Sequence, residues 1–101
     1  TTETVSDHAT RLMRLFQTAV TSGQAGALTR ADLLNPVEGD GPRARFLAFQ
    51  HPEAQGWQQA LISADVVTDV RADTIRFGFG LYQDEADVTE LIRRCARALP
   101  L

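Results

Sequence analysis

The chain has 101 residues, 44% of them hydrophobic and 23% charged, which suits one domain around a single modest core and leaves no room for two. A formal charge of -3 and a pI near 5.2 supply no basic face of the kind that nucleic acid or an anionic membrane surface requires. No apolar run approaches the roughly 20 residues that cross a bilayer, and the N-terminus lacks a basic-then-apolar leader pattern, so a soluble, cytoplasmic protein is expected.

Two omissions are informative. The sequence begins at Thr1 without a methionine, which reads as a processed product or a fragment of a longer polypeptide. It contains no lysine, its ten basic residues all being arginine, so chemistry that needs a lysine Schiff base cannot be completed by this chain alone.

In chain order, Val5, Ala9, Leu12, Leu15, Phe16, Ala19 and Val20 recur at spacings of three and four with Arg11, Arg14 and Gln17 between them, predicting an amphipathic helix over 5–20. Gly23 and Gly26 mark its end. Residues 29–42 carry mixed signals: a short helical turn over 31–34, then Asn35-Pro36 and the GDGP run at 39–42 as loop. RFLAF at 45–49 is a short, almost continuously apolar run and reads as a covered strand. His51-Pro52 interrupts it, and a helix beginning just after Pro52 lines Trp57, Ala60, Leu61 and Ala64 along one face.

VVTDV at 66–70 is β-branched and predicts a strand, followed by a turn over 71–73 and a second strand over 74–79. Asp84, with Asp87 three residues on, caps a last helix whose stripe is Val88, Leu91, Ile92, Cys95 and Leu99 before Pro100. The expected fold is an α+β two-layer sandwich, a small mainly antiparallel sheet with helices on one face and with 66–70 and 74–79 as an antiparallel pair.

In the second strand, alternation puts Ile75, Phe77 and Phe79 on one face and Thr74, Arg76, Gly78 and Gly80 on the other. A planar guanidinium between small neighbours can meet a carboxylate through two parallel hydrogen bonds. It can equally be solvated, or be paired within the chain with Asp69 or Asp73. Gly78-x-Gly80 lacks the third glycine of a dinucleotide fingerprint, since Gln83 stands there, and the glycines instead allow another chain segment or domain to approach this strand.

His8 and His51 are far apart and have no ligand spacing, which argues against a metal site, and His51 is expected to cap local backbone groups. Cys95, the only cysteine, falls on the apolar stripe of the last helix and reads as a core thiol. Asp84, Glu85 and Asp87 read as N-terminal helix charges, and Trp57, Phe46 and Phe49 as core. No catalytic residue is expected within this chain.

The ordered set of a His-Pro pair, a helix ending in QALI, the DVR of VVTDVR, IRFGF and LY followed by DV resembles the C-terminal small domain of kynureninase, and RLMRLFQTAV is similar to the helix by which that enzyme's chain leaves its large domain. The resemblance implies a single small domain over 1–101, divided into a leading helix (1–22), a connecting loop (23–43) and a region of sheet and helices (44–101). It implies a pyridoxal-phosphate enzyme of fold type I, related to class V aminotransferases and cysteine desulfurases, that cleaves kynurenine hydrolytically to anthranilate and alanine. By the same resemblance Arg76 binds the substrate's α-carboxylate, the cofactor sits in the large domain, and the parent is a homodimer. No nucleic-acid or membrane partner is expected.

The sequence departs from the family pattern in three places: GFGLYQ is shorter than the usual turn and lacks its proline, RARF stands at 43–46 where Gly-Ser-His is usual, and Asp73 replaces a proline. A class V aminotransferase or cysteine desulfurase relative would carry Arg76 too, and a stand-alone interaction or ligand-binding domain is the alternative from another functional class.

Overall fold

The first helix forms where apolar side chains return every three or four residues. In the computed structural model of the chain, which describes residues 5–37, 45–79 and 84–101, α1 spans Val5–Thr21. Its buried stripe is Ala9, Leu12, Met13, Phe16, Ala19 and Val20, while Arg11 and Arg14 face out. Gly23, at φ +84°, closes the helix: its N–H donates to the Val20 carbonyl (3.1 Å) and the Gln24 N–H donates to the Ala19 carbonyl (2.9 Å). A left-handed residue after the helix is needed for this pair of bonds, and glycine adopts it without strain.

A 3-10 helix, Gly26–Arg30, follows. The next segment was expected as a helical turn over 31–34 but forms strand β1, Asp32–Leu33, paired antiparallel with β2, Phe46–Gln50. A side chain explains the difference. Asn35 Nδ2 donates to the Phe46 carbonyl and its Oδ1 accepts the Ala48 N–H, both at 2.9 Å, extending the ladder where Pro36 has no N–H to offer. The 23–43 segment is therefore not only a connecting loop, and the GDGP run lies outside the described residues.

Helix α2, Ala54–Ser63, begins just after Pro52 and buries Ala54, Trp57 and Leu61. It ends as α1 does, with Asp65 N–H bonded to the Ile62 carbonyl (3.0 Å) and Val66 N–H to that of Leu61 (2.8 Å), and Asp65 takes the left-handed conformation at φ +63°. The predicted strand over 66–70 is corrected by this closure: Val66 belongs to the end of α2, and β3 is only Asp69–Arg71. A tight turn through Ala72, at φ +53°, and Asp73 leads to β4, Thr74–Gly78.

The sheet order is β1-β2-β4-β3, with every neighbouring pair antiparallel. Helix α3, Glu85–Ala98, starts with a reciprocal box in which Asp84 Oδ1 accepts the Asp87 N–H (2.9 Å) and Asp87 Oδ2 accepts the Asp84 N–H (3.3 Å). The three helices and the four-stranded sheet form the two-layer α+β fold.

Alternation divides β4 sharply. Ile75, Phe77 and Phe79 are at most 1% exposed, and the Phe16 ring of α1 packs among Phe49, Phe77 and Phe79 at centroid separations of 6.2, 5.2 and 5.6 Å. Such tilted and edge contacts add about 0.5–1.5 kcal/mol per pair beyond simple area burial. Among the described residues, no helix is long and apolar enough to cross a membrane.

The seam between the chain's two ends is the least forgiving point. Gly26 has φ +69°, a Cβ there would lie 2.1 Å from the Leu99 carbonyl oxygen, and the Ala27 N–H donates to that same oxygen (2.6 Å). Gly26→Ala is expected to destabilise the chain by at least about 2 kcal/mol in urea unfolding, because it combines backbone strain with a backbone clash.

Candidate functional site

The core-facing half of β4 determines what its other face presents. With Phe77 turned inward, Thr74, Arg76 and Gly78 lie on the opposite face, across from Gln50, Ala48 and Phe46 of β2. Arg76 is also the register partner of Asp69 on β3, one residue beyond Val70↔Ile75. Directly opposed residues on an antiparallel pair have Cβ atoms about 4.5–5.5 Å apart, close enough for the two side chains to meet.

They do meet: Arg76 Nη2 donates to Asp69 Oδ2. Of the two aspartates the sequence offered as partners, Asp69 takes the role. Asp73 instead accepts from Gln50 Nε2 (3.3 and 3.4 Å), and its carbonyl accepts the His51 N–H (2.8 Å). The Arg76 guanidinium carbon stands 5.3 Å from the Phe46 ring centroid, within cation–π range. Phe46, read from sequence as core, is half-buried and lines this face.

The group borders an open depression of about 400 Å³ lined by Phe46, Val67, Thr68, Asp69, Arg76 and Gly78. Val67 is 84% exposed and leaves one rim apolar. Gly78 adds space, since a Cβ there would meet no atom of the described residues within 4 Å. The Arg76 side chain is 38% exposed, so it is neither sealed beneath a helix nor free in solvent. One hydrogen bond through Nη2 leaves two further parallel N–H donors on the same plane, the fork that a carboxylate fits.

Sequence reading missed Thr68. Its Oγ1 is buried in the wall of the depression and has no hydrogen-bond partner among the described residues, while its carbonyl accepts from Gln58 Nε2 (3.0 Å). Nothing in the composition of VVTDV distinguishes that hydroxyl from an ordinary strand threonine.

The other sequence candidates fall elsewhere. His51 Nδ1 accepts the Glu53 N–H (3.1 Å), which places the ring proton on Nε2, and the ring stacks on Trp57 at 4.4 Å. His51 thus closes the entry to α2, as its position before Pro52 suggested. His8 sits on α1 beside Arg11 Nη2 (2.8 Å). Cys95 is fully buried, and desolvation pushes its thiol up to about 12, so it is packing rather than a nucleophile. Asp84 and Asp87 are used in the α3 cap. Gly80 lies outside the described residues. No group of three metal-ligating side chains converges among those described.

A second depression, about 450 Å³, lies between the end of α2 and α3 and is lined in part by Asp65, Glu90, Arg94 and Arg97. Arg94 is largely committed there: Nε donates to Glu90 Oε2 (3.0 Å) and Nη1 to the Asp65 and Ala64 carbonyls (3.3 and 3.5 Å). It closes the carbonyl end of α2.

The family model of the kynureninase C-terminal domain matches residues 5–95. The match runs from the start of α1 almost to the end of α3, and the chain belongs to that family. No curated protein and no solved structure matches it.

Two measurements follow from the site. The hydrogen bond from Arg76 holds the Asp69 carboxyl below its ordinary value of 3.8, partial desolvation opposes this, and the charges of Arg76 and Arg71 add to the lowering. A depressed folded-state pKa contributes stability that is complete above the unfolded value and is lost as pH falls through the folded one, here below 3.8. An NMR titration of the Asp69 carboxyl carbon should give a midpoint under 3.8, rising toward that value in Arg76→Ala. Thr68→Val, which removes an unpaired buried hydroxyl at nearly constant shape, should leave thermal stability unchanged or raise it by up to about 1 kcal/mol.

Proposed function

We propose that this chain is the small domain of a kynureninase-like pyridoxal-phosphate enzyme, and that Arg76 binds the α-carboxylate of its amino-acid substrate. Family membership supports the parent activity, hydrolytic cleavage of kynurenine to anthranilate and alanine. The observation that carries the residue assignment is the half-exposed Arg76 guanidinium at the edge of a depression that a second domain could roof over.

The described residues do not fit the task of holding pyridoxal phosphate. The chain has no lysine, and the start of α3, where a phosphate could meet free N–H groups, is filled by the Asp84–Asp87 box and carries Glu85 besides. The cofactor, which supplies an electron sink to the substrate's reacting carbon, belongs in this reading to the large domain. Arg76 makes and breaks no bond. It fixes one end of the substrate, so that the scissile bond is presented in one orientation, and the apolar rim at Phe46 and Val67 helps exclude water from the ion pair.

The large domain of the same polypeptide and a second subunit are the partners this reading requires. Cys95, a free thiol with no disulfide framework, accords with a reducing compartment such as the cytoplasm.

In the full-length enzyme, the fall in kcat/KM caused by Arg76→Ala should correspond to about 2–5 kcal/mol of lost transition-state stabilisation, the cost of leaving a desolvated carboxylate unpaired, while the cofactor's absorbance stays as in the wild type. Arg76→Lys should recover only part of the loss, because an ammonium cannot reproduce the fork. Wild-type kinetics in Arg76→Ala would remove this residue from the substrate site.

A further inference from the structure

Asp69 has no assigned part in this chemistry, yet it is hydrogen-bonded to the Arg76 guanidinium at the edge of the depression. An arginine on an open strand face has four side-chain torsions and, unrestrained, spreads its head over many positions. Here three features restrict it. Asp69 is its cross-strand partner in register and binds Nη2, the Phe46 ring lies 5.3 Å from its guanidinium carbon, and the nearly buried Ala48 is its partner on the other neighbouring strand.

We propose that Asp69 is a positioning residue: by binding one nitrogen of Arg76 through a single oxygen, it orients the remaining N–H pair toward the depression for the incoming carboxylate. The inference rests on the reading of Arg76 given above and adds to it a second residue and a direction of effect.

A carboxylate beside an anion-binding group could instead act as a competitor, occupying the fork until substrate displaces it. The geometry favours positioning. Contact is through one nitrogen of the guanidinium, and Asp69 and Arg76 are fixed on opposed strands joined by a two-residue turn, so the bond holds without drawing the head group out of the depression. The negative charge of Asp69 weakens the local field for a second anion. The gain is that the donor pair is already aimed when the substrate arrives, which lowers the ordering cost of binding.

The test is a double-mutant cycle in the full-length enzyme with Asp69→Ala, Asp69→Asn and Arg76→Ala. Turnover is measured for the amino-acid substrate and for its decarboxylated amine, and thermal melts establish that each variant is folded. Asp69→Ala should lower kcat/KM for the amino acid about tenfold, chiefly through KM. Asp69→Asn, which keeps an acceptor oxygen in place, should recover most of that loss. Both effects should vanish for the amine and in the Arg76→Ala background.

Unchanged or improved kcat/KM in Asp69→Ala, with a large loss in Arg76→Ala, overturns the role of Asp69 and leaves that of Arg76 standing. Unchanged kinetics in both variants overturns both. A loss that persists for the amine, or adds fully to that of Arg76→Ala, marks Asp69 as merely structural and equally overturns the proposal. If Asp69→Ala does not fold, Asp69→Ser, whose hydroxyl is too short to reach the Arg76 guanidinium, takes its place in the cycle and must show the same loss, confined to the carboxylate substrate and absent in the Arg76→Ala background.

Discussion

The burial of Phe77 between Phe16 and Phe49 sets the orientation of everything on β4. A strand places successive side chains on opposite faces, so a ring committed to the core at 77 commits Arg76 and Gly78 to the other side. Shifting the register by one residue would bring a guanidinium into the Phe16 cluster and put the aromatic rings in water, and both costs run to several kcal/mol. The arginine's outward position is thus enforced by the hydrophobic effect acting on its neighbours. Helix α1 is part of the same constraint, because Phe16 touches rings from both central strands.

The same logic governs the charges. No polar or charged residue among those described is buried, and the ion pairs lie at the surface or in partly covered positions. Exposed pairs of this kind add little to stability, because water screens the charges and the long side chains lose freedom when they are held together. Asp69–Arg76 differs from the helical pairs Glu90–Arg93 and Glu90–Arg94 in what surrounds it: those lie along one helix, while this one joins two strands beside a depression and an aromatic ring. The value of such a pair to the molecule lies in orientation more than in folding energy.

Much of the fold is legible in the sequence because its signals are local and periodic. The stripes of α1 and α3, the glycine at the end of α1, the Asp84 cap and the inward set Ile75, Phe77 and Phe79 all follow from spacing alone. Strand β1 is not legible, since two residues carry no period and the pairing depends on the Asn35 amide standing in for backbone. The late start of β3 is hidden for a related reason: Val66 has the composition of a strand residue but is drawn into the closure of α2, where it packs with Leu61. At the site, the face of Arg76 can be read from alternation and the choice of Asp69 over Asp73 cannot, because it depends on the length and geometry of the turn through Ala72.

In a central strand glycine weakens pairing and packing, and it is usually explained by a positive φ or by the close approach of another atom. Neither holds among the described residues: Gly78 is not among the positive-φ residues, and a Cβ would meet nothing of theirs within 4 Å. Among the described residues, neither backbone conformation nor close packing accounts for glycine at 78. It faces Phe46 across β2, on the same side as Arg76, and its missing side chain enlarges the space beside the guanidinium. The space left at 78 adjoins the Arg76 guanidinium, the group proposed above to receive the substrate's carboxylate, and a larger side chain at 78 would narrow the depression from the side of that group.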